Sequence, residues 1–90
     1  MKKTIQIQVR GIVQQVGYRN FSKQKADELQ ITGSAQNLKD GSVEIYACGE
    51  EDKLECFLSA LKIGPQKAKV EGIHFHVVTH KQLKTFEILQ

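Results

Sequence analysis

The stretch Gly11-Ile12-Val13-Gln14-Gln15-Val16-Gly17-Tyr18-Arg19 constrains this chain most. Ahead of it, Ile5, Ile7 and Val9 alternate with Thr4, Gln6, Gln8 and Arg10, the period of a half-buried strand. Behind it a helical spacing begins. The chain therefore turns from strand to helix through a short glycine-flanked loop. Backbone N–H groups of such a loop and of the first helical turn point into one concavity that suits an anion. A guanidinium at the rim adds a planar, permanently charged fork that matches phosphate oxygens. The chain has two arginines, Arg10 and Arg19, against 11 lysines, and one of the two stands at this loop. Arg10 reads as a surface residue at the end of the strand.

The remaining elements follow from period and punctuation. Strand one covers about Thr4–Val13, and helix one runs from near Arg19 to Gln30 with Tyr18, Phe21, Ser22, Ala26 and Leu29 inward. Strand two covers Thr32–Leu38. Asp40-Gly41 then marks a hairpin, since the glycine accepts positive φ. Strand three, Ser42–Cys48, turns Val43, Ile45 and Ala47 toward the core. Gly49 precedes an acidic first turn, Glu50-Glu51-Asp52, which suits the positive end of a helix dipole. Leu54, Phe57, Leu58 and Leu61 give the apolar stripe of helix two, which Gly64-Pro65 stops. Strand four covers roughly Ala68–Val78. Its core parity switches at Glu71-Gly72 from Ala68 and Val70 to Ile73, Phe75 and Val77, which predicts a bulge. Phe86 and Ile88 alternate in a last short strand, with His80 in the loop before it.

Strand–helix–strand–strand–helix–strand with a central hairpin is the split βαβ order. The expected class is α+β: a ferredoxin-like sandwich, with an antiparallel sheet of four to five strands covered on one face by two helices. Ninety residues are expected to form one domain, 1–90. The N-terminal Met1-Lys2-Lys3-Thr4-Ile5-Gln6 lacks an apolar core of the signal-peptide kind, and no run of about 18 apolar residues appears. A cytoplasmic protein that engages no membrane is expected. Cys48 and Cys56 read as free thiols of a reducing compartment. The net charge of +3 comes from scattered lysines, without the clustered cations and interleaved aromatics of a nucleic-acid surface. An RNA-binding domain of this topology would stack bases on central-strand aromatics. Strands one and three offer Tyr46 at most, among Gln6, Gln8 and Glu44.

Asn37, at the end of strand two, has two readings. It either caps the hairpin turn, as asparagine often does, or it approaches the Arg19 loop from the neighbouring strand end. His74 and His76 share one face of strand four but have no third ligand at a metal-binding spacing, so they read as exposed sheet residues.

Both segments resemble the acylphosphatase family. Its first signature is met by Gly11, Val13, Gln14, Val16, Tyr18 and Arg19. Its second is met by Gly33, Ala35, Gln36, Asn37, Gly41, Val43 and Gly49. Gly64-Pro65, Ala68, Val70 and Phe86-Glu87-Ile88 are similar too, so the resemblance spans essentially the whole chain. It implies hydrolysis of acyl phosphates to carboxylate and inorganic phosphate, without metal or other cofactor. It implies that Arg19 and the loop Gln14, Gln15, Val16, Gly17, Tyr18 and Arg19 hold the phosphoryl oxygens through backbone N–H groups, and that Asn37 orients the attacking water. The expected partners are small acyl phosphates and phosphate- or sulfate-like anions, and the expected state is a monomer. Gln15 stands where the family has glycine, and Ser34 where it has an aromatic residue. A positive φ at Gln15 would cost about 1 kcal/mol or more. A second reading follows from that strain: a module that binds anions on the same loop without turnover.

Overall fold

A computed structural model describes residues 1–79 and 83–89; the loop position expected for His80 lies outside them. The elements are β1 (Lys2–Ile12), α1 (Tyr18–Glu28), β2 (Thr32–Asn37), β3 (Val43–Glu50), α2 (Glu51–Ile63), β4 (Lys69–Val77) and β5 (Phe86–Leu89). The sheet runs in the order β4-β1-β3-β2-β5. This is the expected ferredoxin-like arrangement, with two helices packed against one sheet. None of its helices is long and apolar enough to cross a membrane, among the described residues.

One expectation needs correction. The sheet is mixed, not antiparallel, because β5 pairs parallel with β2, from Gly33 opposite Phe86 to Gln36 opposite Leu89. Strand directions explain this. β1 is antiparallel to β3 and to β4, and β3 is antiparallel to β2. β4 therefore runs opposite to β2. A single return from the end of β4 reverses the chain once, so the strand it reaches at the far edge runs with β2.

The core lies between the sheet and the helices. Ile5, Ile7, Val9, Ala35, Val43, Ile45 and Ala47 face Leu54, Phe57 and Leu61 of α2 and Tyr18 and Ala26 of α1. Phe57 meets Phe86 edge to face at 6.0 Å, which ties α2 to the last strand. Helix α1 stops two residues before Gln30. Gln30 adopts φ +58°, and Ile31 N–H and Gln30 N–H donate to Ala26 and Asp27 carbonyls at 2.8 and 3.3 Å. That left-handed closure satisfies the last helical carbonyls. Tyr18, Ser22 and Ala26 form the buried stripe, with Phe21 and Leu29 half-buried. The Ser22 hydroxyl is satisfied by donating to the Tyr18 carbonyl at 2.8 Å.

The bulge stands where the parity switch put it. Register passes from Arg10 opposite Gly72 to Gly11 opposite Val70, so Glu71 is the extra residue. Beyond it Phe75 and Val77 have the expected parity but not the expected burial, being 53% and 62% exposed. β4 is an edge strand, and its far end leaves these side chains bordering an open groove with Ile5, Leu54 and Leu58.

This packing predicts a contrast. Phe57→Ala, at a fully buried position, should lower stability by about 3–5 kcal/mol in urea unfolding. Phe75→Ala should cost under about 1 kcal/mol, because most of the ring is already in water.

Candidate active site

The loop after β1 leaves the sheet at Val13 and enters α1 at Gly17, the N-cap, whose φ is +79°. Val13 is buried, and Val16 packs against the core from above. No side chain caps α1, and its first turn carries no acidic residue. The N–H groups of Tyr18, Arg19 and Asn20 are thus the unpaired donors that every helix start leaves. Among the described residues the N–H groups of residues 14–17 also donate no backbone bond. Five of these residues, Gln15, Gly17, Tyr18, Arg19 and Asn20, line a pocket of about 170 Å³ together with Val13, Asn37 and Ile88. The loop, α1, the end of β2 and β5 thus meet at one concavity. Arg19 supplies its cation and, among the described residues, no carboxylate side chain lines it, so its electrostatics favour an anion.

Asn37 stands across the pocket from the helix start, at the end of β2. Its Oδ1 is buried without a hydrogen-bond partner. Unpaired buried acceptors are rare and costly, and the residue that carries this one lines the pocket. The hairpin turn does not use it. Asp40 closes that turn by accepting from Ser42 N–H at 2.9 Å and Ser42 Oγ at 2.6 Å. Those two bonds, with Arg10 nearby, hold the Asp40 carboxyl below its ordinary value. Leu38 N–H donates to the Ser42 carbonyl at 2.9 Å and completes the turn.

The acylphosphatase family model matches residues 5–88. The chain is 45% identical to an acylphosphatase of Archaeoglobus fulgidus over 84 residues, covering 93% of this chain and 94% of that one. Its fold superposes on the solved acylphosphatase structure from Coxiella burnetii with a TM-score of 0.93 at 34% identity, covering 98% and 93% of the two chains. The crystal structure of the Bacillus subtilis acylphosphatase gives 0.90 at 35% identity over the full length of both. The chain belongs to the acylphosphatase family. The resemblance read from the two signatures is thereby confirmed.

Within this family fold, the side chains of the first signature divide between the pocket and its supports. Arg19 lines the pocket and donates from Nη1 to the Leu89 carbonyl at 2.8 Å, so β5 fixes the guanidinium. The Gln14 side chain is turned to the hairpin, donating from Nε2 to the carbonyls of Leu38 at 2.8 Å and Ser42 at 2.9 Å. It clamps the loop to the β2–β3 turn and so holds the loop beside Asn37. Gln15 takes φ +62°, the strained conformation that the sequence raised as a condition. Asn20 and Ile88, which the sequence reading did not single out, complete the wall. Asn20 directly follows Arg19 in the chain, but Ile88 reaches the site only through the parallel pairing of β5. His74 and His76 border a different hollow on the open sheet face, with Gln6, Gln8 and Glu44.

Tyr18 lies beneath the loop, 1% exposed. Its hydroxyl donates to the Leu61 carbonyl at 2.7 Å. In a helix that carbonyl would accept from residue 65, but Pro65 has no N–H to give. Tyr18 therefore satisfies an orphan carbonyl at the end of α2. Gly64, at φ +71°, leaves room for the ring, since a β-carbon there would stand 3.1 Å from Tyr18 Cε2. Burial pushes the Tyr18 phenol up, so it remains a donor at neutral pH.

Two measurements check these supports. Tyr18→Phe should lose about 1–3 kcal/mol in denaturant unfolding, since a buried carbonyl is left unpaired. The phosphate affinity of the folded fraction should fall as well, because the bond that pins the start of α1 to the end of α2 is gone. Gln14→Glu should cost about 1–3 kcal/mol and weaken phosphate binding measured by calorimetry, because a carboxylate would face two carbonyl oxygens. A Gln14→Glu protein that bound phosphate as the parent does would show that the clamp has no bearing on the pocket.

Proposed function

We propose that this chain hydrolyses acyl phosphates, and that the pocket between α1, β2 and β5 is where it does so. The observation that carries the reading is the convergence of Arg19, an uncapped helix start and Asn37 on one small cavity. Family membership supports the reaction class.

In this reading the phosphoryl oxygens take the N–H groups of the loop from Gln15 to Arg19 and the Arg19 guanidinium. Asn37 accepts a hydrogen bond from water through Oδ1 and sets its oxygen in line with the phosphorus. The water oxygen bonds to phosphorus, the bridging P–O bond breaks, and its electron pair leaves with the carboxylate. Both water protons end on the released phosphate. The leaving group is the conjugate base of an acid with pKa of roughly 4, so no general acid is needed. The transition state is loose and spreads negative charge over the equatorial oxygens, so positioning and charge stabilisation do most of the catalysis. A carboxamide is a poor base but a good orienter, since it both donates and accepts.

The same reading takes inorganic phosphate and sulfate as competing anions. It places the protein in the cytoplasm, in keeping with the cysteine usage. It also takes the monomer as the working unit, because every group invoked comes from one chain. Residues 1–90 act as one domain.

The test is release of phosphate from benzoyl phosphate, with chelator present. Arg19→Ala should lose turnover and phosphate affinity together. Asn37→Ala should lower kcat by about 100-fold or more while phosphate still binds. Its unfolding midpoint should hold or rise slightly, since the substitution removes an unsatisfied buried acceptor. Full activity in Asn37→Ala would remove the water-orienting role. A folded parent that binds phosphate but releases none from substrate would instead favour the binding-only module.

A further inference from the structure

Gln15 is the only residue other than glycine with a positive φ in the loop between β1 and α1, at +62°. A side chain in that conformation is strained, and such strain persists where the surroundings over-determine it. Both neighbours do so here. Gln14 is clamped to the Leu38 and Ser42 carbonyls, and Val16 packs against the core. The backbone at Gln15 is therefore held from either side. Gln15 is exposed and lines the pocket with Arg19 and Asn37. Its carboxamide makes no hydrogen bond to any described residue, in contrast to that of Gln14. A free donor and a free acceptor thus stand at the pocket rim on a fixed backbone.

The proposed contacts to the phosphoryl group use Arg19 and loop N–H groups, and the contact to the attacking water uses Asn37. What remains of the wall is Val13, Ile88, Asn20 and the Gln15 side chain. A cavity of about 170 Å³ that already holds a phosphoryl group has little enclosed space left for an acyl chain. Every acyl phosphate carries a carbonyl oxygen next to the bridging oxygen. Negative charge develops on it as the carboxylate leaves, so a donor there acts in the transition state.

We propose that Gln15 is a specificity-determining residue that selects compact acyl groups. Nε2–H donates to the acyl carbonyl oxygen, and the length of the side chain narrows the mouth against bulky, flat acyl groups. This inference rests on the acyl phosphate reading above and adds the class of substrate.

The test compares acetyl phosphate with benzoyl phosphate as substrates for the parent, Gln15→Gly and Gln15→Met. Gln15→Gly removes both the amide and the bulk. It should lower kcat/KM for acetyl phosphate at least about fivefold more than for benzoyl phosphate, so that the ratio of the two falls by about fivefold or more. Gln15→Met keeps length without a donor. It should lower both substrates by about fivefold and leave the ratio within about twofold of the parent. The inhibition constant for inorganic phosphate should stay within about twofold throughout, which a disturbed loop would not allow. An unchanged ratio in Gln15→Gly overturns the proposal, and so does a loss of phosphate affinity as large as the loss of rate. If the parent splits neither substrate, the acyl phosphate reading fails as well; if it splits both and only the ratio fails to move, that reading stands and the role of Gln15 alone is lost.

Discussion

The N–H groups of residues 14–17, between β1 and α1, donate no backbone bond among the described residues, so the loop does not hold itself together with them. The Tyr18 hydroxyl on the Leu61 carbonyl supplies much of what is missing. Pro65 leaves that carbonyl without its helical partner, and the tyrosine both satisfies it and pins the start of α1 to the end of α2. At the other end of the loop the Gln14 carboxamide grips two carbonyls of the β2–β3 turn. The loop is thus braced by side chains on both sides while its backbone donors stay available. Burying a phenol and clamping a carboxamide are the local conditions for presenting unpaired amides at a surface.

The consequence is a site that departs from good local chemistry in three places at once. The helix start has no cap, Asn37 has a buried acceptor without a donor, and Gln15 sits in left-handed space. Elsewhere the fold is consistent: the buried Ser22 hydroxyl is paired, the hairpin is closed by Asp40 and Ser42, and the apolar parities agree with the core. Outside the pocket, Thr32 Oγ1 is also buried without a partner and Gln30 also has a positive φ, but three departures gathered in one small cavity are what function does to an otherwise self-consistent sequence.

How much of this could be read from residues alone depends on range. The alternation of β1, the Asp40-Gly41 turn, the stripe of α2 and the bulge at Glu71 are local signals, and each stands where period or punctuation put it. The direction of β5 is set by the sum of three pairings and has no local signature. Phe75 and Val77 carry core parity on a strand that turned out to be an edge, and parity cannot say how far a helix reaches. Asn37 shows the same limit from the other side. At the end of a strand before a turn, an asparagine reads as a cap, and only the family signatures joined it to Arg19. The structure removes the cap reading because Asp40 already fills that role. The Gln14 side chain serves the hairpin 24 and 28 residues away, a role with no local signature.

The bond from Arg19 to the Leu89 carbonyl spans 70 residues of chain. A chain emerging from the ribosome makes its first strand, loop and helix early, but the acceptor that fixes this guanidinium arrives with β5. Contacts so distant in sequence are slow to form, since the loop they close must lose its entropy first. The pocket is therefore among the last features to be completed. A nascent chain can carry both signatures and most of its sheet while its principal cation is still unanchored.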